Sequence, residues 1–262
     1  MATLKNTIIN DTGYIKLPNG TSAQRPSSPL PGYLRYNTTE DNIEIYNGTS
    51  WNTLNINNND ISTNELLLHL DVSNPSSYPG TGTTWSDLSG NGYHHTLSSG
   101  ANLTTVGGIS CIDTTGAKQV ADSGTTFTFG SDHTMIAWVY TSTDAQVSTW
   151  RTLWRTSLDD HPLLIQDGTD IMGYYDNNSA GFVSYGLTAT GTGIAGNWAM
   201  ISLVGSGGST TTLYINEGTV NGSVGYNATG NQHNEIGNYS NAQAYGYVAA
   251  AYVYNRALTQ SE

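Results

Sequence analysis
Positive charge is scarce in this chain. Its 262 residues carry 8 Lys and Arg against 20 Asp and Glu, for a net charge of −12. Phosphate recognition needs clustered basic side chains, so nucleic acid is excluded as a direct partner. No basic amphipathic helix is present, and no run reaches transmembrane length, so membrane insertion is not expected. The single cysteine, Cys111, rules out an intrachain disulfide. A lone thiol reads as a small buried apolar group unless a histidine partner is in view. The opening MATLKNTIIN lacks an apolar run of signal-peptide length, so the expectation is synthesis in a cytoplasm without secretion. The Asn-X-Ser/Thr triplets beginning at Asn37 and Asn47 then read as turn chemistry rather than glycan acceptors. There is no fixed-period repeat, no Gly-x-Ser-x-Gly elbow and no phosphate-binding glycine loop.

Aromatic residues with a polar edge are abundant: 17 Tyr and 6 Trp against 3 Phe. Such side chains suit half-buried sheet faces and binding surfaces. Thr, Ser, Asn and Gly fill the polar positions, as in β-proteins with many turns. Residues 1–12 read as a polar arm, and 13–54 as a small β-module. In that module Tyr33, Leu34 and Tyr36 form one short strand, Ile43, Ile45 and Tyr46 a second, with a turn at NTTEDN. A further turn through Asn47-Gly48 precedes Trp51. So small a module buries little and needs a partner surface or copies of itself. Tyr33, Leu34, Tyr36, Ile43, Ile45 and Trp51 are its candidate attachment and oligomerisation residues. Residues 55–64, NINNNDISTN, form a polar linker. From 65 to 262, short strands recur at about ten-residue spacing between turn clusters, the mark of an antiparallel sandwich or barrel. In HTMIAWVYTS, Ile136, Trp138 and Tyr140 alternate with Met135, Ala137 and Val139, one set for each face.

The stretch LLLHLDVSNPSSYPGTGTTWSDLSGNGYHHTL, followed by HTMIAWVY, GNWAMISLV, TLYINEG, EIGNYS and AYVYNRALTQSE, resembles LamG-like, concanavalin-A-like jelly-roll domains. These domains are abundant in structural proteins of tailed phages. The resemblance covers residues 65–262. It implies an all-β antiparallel jelly-roll sandwich preceded by the small β-module. One departure is GYVAAAYVYN, where relatives often carry Asp-Glu. The segment from LPNGTSAQRP to YNGTSW resembles one common in phage fibre and appendage proteins. Together the resemblances imply a virion protein (fibre, appendage or capsid decoration) with capsid, tail or fibre partners. They also imply a homo-oligomer, trimeric by analogy with fibres.

WSDLSGNGYHH, from Trp85 to His95, is either a metal or active-site loop or a tight turn. Asp87, Ser89, Gly90, Asn91 and Gly92 favour a turn closed by Asx-type hydrogen bonds. His94 and His95 are adjacent, so in a strand they point to opposite faces and do not chelate one ion together. No cofactor is implied. If a metal is bound, calcium suits the oxygen-rich acids best, with Asp71 and Asp87 as candidate ligands, although no contiguous acidic loop is present. Sugars are held by aromatic faces and by Asn and Asp hydrogen bonds. Two stretches offer both: Tyr174, Tyr175, Asp176, Asn177, Asn178 and Tyr185 in one, and Tyr239, Asn241 and Tyr245 in the other. The alternative for these tyrosines is sheet packing or subunit contact. Laminarinase-like relatives carry Glu-x-Asp-x-x-Glu on one strand, and this chain has no such motif. The expectation is therefore a non-enzymatic scaffold, with a host-glycan lectin as the alternative and a glycan hydrolase third.

Overall fold
The computed structural model describes residues 17–54, 62–122, 124–141, 149–216, 222–240, 242–260 and 262. The arm at 1–12, linker residues 55–61 and Asn241 lie outside them. The chain divides into two compact units, with the break between residues 61 and 62.

The first unit is a four-stranded sheet in the order β1 (Asn19–Gly20), β2 (Leu34–Asn37), β3 (Asn42–Tyr46), β4 (Trp51–Thr53). β1 runs parallel to β2; the other pairs are antiparallel. The β2–β3 turn places Asp41 at φ 53°, a left-handed geometry that Asp tolerates. Its polar side is organised by Glu44. That carboxylate accepts from Arg25 Nη2 at 2.6 Å and Asn37 Nδ2 at 3.0 Å, and faces Arg35 Nη1 at 3.3 Å. Arg25 above all holds the Glu44 carboxyl below the usual range.

The second unit is a sandwich of two antiparallel sheets. One sheet has the order β18 (Gly222–Val224), β17 (Thr210–Ile215), β16 (Trp198–Ser206), β11 (His133–Thr141), β20 (Gly246–Tyr254), β9 (Ile109–Asp113), β8 (Asn102–Val106), with β5 (Leu66–Asp71) also pairing β20. The facing sheet has the order β15 (Gly181–Thr188), β14 (Ile171–Asp176), β13 (His161–Ile165), β12 (Arg151–Thr156), β19 (His233–Ile236), β10 (Gln119–Asp122), β7 (His95–Ser98), β6 (Thr84–Trp85). This is the antiparallel jelly-roll sandwich that the resemblance implies; strand spacing alone left sandwich or barrel open.

Period-2 alternation builds the core. Along β11, Met135, Ala137 and Val139 are buried, while Ile136, Trp138 and Tyr140 are half-buried on the outer face. From β5, Leu68 and Leu70 enter the same core, which the facing sheet closes with Trp85, Trp154, Leu163 and Ile165. Each large apolar side chain taken fully out of water contributes about 1.5–3 kcal/mol. Cys111 is part of this core, and its burial pushes the thiol up to about 11, so it is protonated and inert at neutral pH.

A groove that joins two aromatic loops
The Trp85–His95 stretch is a closed turn. Asp87 is only 8% exposed, and its carboxylate accepts from four donors. These are the His69 and Ser89 N–H groups at 2.9 Å each, the Tyr93 N–H at 3.0 Å and the Ser89 hydroxyl at 2.7 Å. Its own N–H donates to His94 Nδ1 at 3.0 Å. Asp71 likewise caps a turn, accepting from the Ser73 N–H at 2.8 Å and the Ser73 hydroxyl at 2.7 Å. The calcium-ligand expectation for Asp71 and Asp87 is thus replaced by turn closure: both Asp87 oxygens and Asp71 Oδ1 accept from N–H and O–H donors. Among the described residues no group of three or more His, Cys, Asp or Glu converges as a metal site.

His94 and His95 do point apart. His95 enters the core, where its Nδ1–H donates to the Tyr93 carbonyl at 3.1 Å. Its Nε2 is left to accept from His233 Nε2–H at 2.8 Å. Both rings are neutral: burial lowers His95 to about 4 and holds His233 well below the usual imidazole range.

The two tyrosine-rich stretches meet on the β12–β15 sheet. A groove of about 250 Å³ is lined by Trp150, Asp159, His161, Leu164, Tyr175, Asn177, Tyr239 and Gln243. Trp150 lies just before β12, and Asp159 and His161 at the β12–β13 turn. Tyr175 and Asn177 come from the end of β14, and Tyr239 and Gln243 from the β19–β20 connection. The rings meet edge to face: Trp150 to Tyr175 at 5.6 Å and 76°, and His161 to Tyr239 at 5.0 Å and 67°. Phe182 backs Trp150 at 5.5 Å.

Polar groups are fixed around these rings. The Thr152 hydroxyl donates to Gln243 Oε1 at 2.7 Å, so its oxygen accepts from His161 Nδ1–H at 3.2 Å. His161 Nε2 remains as a hydrogen-bond acceptor. Burial first, then Arg155, lowers the His161 pKa to about 4, so the ring is neutral at pH 7. The Asn177 N–H donates to Asp160 Oδ1 at 2.8 Å, while Asp160 Oδ2 accepts from Asn231 at 2.9 Å. That pairing anchors the rim where Asn177 sits. Arg155 stacks over Tyr239 at 4.7 Å and pairs with Asp159 and, at 3.1 Å, with Glu235.

Of the sequence candidates, Tyr175, Asn177 and Tyr239 come together here. Tyr174, Tyr185 and Tyr245 do not, and their assignment to a glycan site is corrected. Tyr174 and Tyr185 are 4% and 5% exposed, and Tyr245 is 0% exposed. Tyr174 stacks on Tyr226 at 4.3 Å inside the sandwich. The Tyr185 hydroxyl donates to the Pro162 carbonyl at 3.0 Å. None of the three lines the groove, whereas His161, equally buried, does. Asp176 caps the β14–β15 hairpin through the N–H groups of Asn178 and Ser179, at 2.9 and 3.1 Å. Trp150, His161, Asp159 and Gln243 were missed. A tryptophan two residues before TLWRTS was the available signal for the first; nothing local marks the others.

The unit that carries the groove is thus a two-sheet antiparallel jelly roll. Its fold is shared with several solved structures. The binding domain of Paraclostridial Mosquitocidal Protein 1 matches with TM-score 0.52 and 17% identity, over 75% of this chain and 50% of that one. The binding domain of Botulinum Neurotoxin DC, in complex with SialylT, matches with TM-score 0.51 and 11% identity, over 76% and 50%. Domain 4 of AbnA, a GH43 extracellular arabinanase from Geobacillus stearothermophilus, in complex with arabinotriose, matches with TM-score 0.53 and 15% identity, over 75% and 95%. This chain spans about half the length of the two toxin binding domains it matches. No protein-family profile and no curated protein matches the sequence.

Proposed function
We propose that the sandwich is a carbohydrate-binding module, and that a sugar ring lies in the Trp150–His161–Tyr175–Tyr239 groove. The observation that carries this reading is the convergence of four aromatic rings, from four separate chain segments, with Asn177, Gln243 and the free His161 Nε2 beside them. Apolar ring faces with a few fixed polar groups are the usual make-up of small-ligand sites. At about 250 Å³ the groove is smaller than the ~300–1,000 Å³ of drug-sized pockets, which favours a terminal sugar over a long chain segment. Neutral sugars fit best. Arg155, which stacks on Tyr239, is already held by Asp159 and Glu235.

Binding rather than cleavage is the activity proposed. Among the described residues the groove lining holds one carboxylate, Asp159, which is committed to Arg155, whereas glycoside hydrolysis by the usual route needs two. The finer reading, a phage virion protein that displays this module for host attachment, rests on the sequence resemblances of residues 13–54 and 65–262. In that setting many weak copies would act together through avidity.

The test is a glycan array followed by calorimetry on the hit. Trp150→Ala, Tyr175→Ala and Tyr239→Ala should each weaken binding tenfold or more, about 1.4 kcal/mol, with thermal stability retained. Sugar binding that survives all three substitutions would remove the groove from consideration.

A further inference from the structure
The small N-terminal sheet is built inside out. Residues 17–54 bury three side chains, Arg35, Asn37 and Glu44, and none of them is apolar. Strand register explains the arrangement. Arg35 is opposite Glu44 and Asn37 opposite Asn42, so these four share one face of the sheet. Arg25 and the Ser22 side chain close over that face by bonding Glu44 and Asn37. The other face has Leu34 opposite Ile45 and Tyr36 opposite Ile43, with Leu54 N–H bonded to the Ile43 carbonyl beside them. All of these apolar side chains are half-buried or, for Leu34, exposed. A sheet this small holds together only when its apolar face is covered.

We infer that this face packs against the same face of other copies of the chain. Charge favours a copy as the occupant. Residues 1–61 carry four basic and five acidic side chains, whereas residues 62–262 carry four and fifteen. Copies are therefore repelled through the sandwich and meet at least cost through the module. Leu34, Tyr36, Ile43, Ile45 and Leu54 present no formal charge, and the carboxylate that adjoins them, Asp41 on the Tyr36 hydroxyl, lies in the exposed β2–β3 turn, so two such faces stack with little ion desolvation. In an isologous contact the same patch serves both copies, so one apolar face per chain is enough.

The inference does not depend on the sugar-binding reading. Light scattering on the full chain at micromolar concentration should give a multiple of the single-chain mass. The Leu34→Lys/Ile45→Lys variant should fall to the single-chain mass, with the sandwich's melting transition unchanged. Ile45→Val, on the same face, and Tyr33→Ser, off it, should both remain assembled. A wild-type chain that scatters as one copy overturns the inference. So does a double-lysine variant that stays assembled, or a Tyr33→Ser variant that dissociates.

Discussion
Asp87, a buried loop acid, organises the turn it sits in. One carboxylate holds two N–H groups of its own loop, a third from β5 and a serine hydroxyl, so replacing it leaves buried donors without partners. Charged hydrogen bonds of this kind contribute about 1.5–3 kcal/mol each, and lost buried partners add to the cost. Asp87→Ala should destabilise the fold by about 2–4 kcal/mol in urea unfolding, and Asp87→Asn by less; an unchanged midpoint for Asp87→Ala would contradict this account. The loop was legible in the sequence because Asp, Ser, Asn and Gly in that order define their own turn. Tyr174 and Tyr175 were not separable in the same way. Adjacent strand residues face opposite sides, but which one faces the core depends on the register of the whole strand. The structure sends Tyr174 inward against Tyr226 and Tyr175 outward into the groove.

At the level of strands, irregular pairing decides what faces the groove. The β13–β14 pair shifts register between His161 and Leu164, and β14–β15 shifts between Met172 and Gly173. Such bulges re-aim side chains, and no sequence periodicity announces them. The alternation of β11 runs unbroken through Met135–Val139, and there the inward and outward sets were readable directly. Gly173 has a further role. A Cβ at this position would meet the Phe182 ring at 2.3 Å and the Val183 carbonyl oxygen at 2.5 Å. Phe182 folds across that bare backbone and supports Trp150. Gly173→Ala should therefore cost about 1–3 kcal/mol of stability and also weaken sugar binding, because the displaced Phe182 no longer backs Trp150. Calorimetry on the variant that left ligand affinity untouched would separate the glycine from the site.

Across the whole molecule, buried neutral histidines tie stability to pH. His95 and His161 are lowered to about 4, and His233 well below the usual imidazole range, chiefly by burial. In the unfolded chain these rings take up protons near pH 6.5, so the unfolded state binds more protons between about pH 6.5 and 4. Stability is full above about pH 6.5 and falls as pH drops toward 4, by up to about 1.4 kcal/mol per pH unit for each ring. Burial raises Asp160 and Glu235, which oppose this trend in the carboxylate range. The melting temperature should fall steadily between pH 7 and pH 5, and a flat profile over that interval would refute the linkage. Turn spacing and the polar run at 55–64 gave the expectation of a small β-module followed by a sandwich. The groove was not legible in this way, because its lining comes from residues nearly a hundred positions apart.

The sandwich enters and leaves its fold at one place. Its first strand pairs with its last, Leu66 opposite Tyr254, and the Asn255 N–H donates to the Glu65 carbonyl. Paired residues sit only ~5 Å apart. The domain can therefore be carried as a cassette within a surface loop of an unrelated host, which would have to open by little more than the width of a hairpin. Joining those ends and reopening the chain at the exposed Gly207–Gly208 turn would give a permuted domain with the same strand partners.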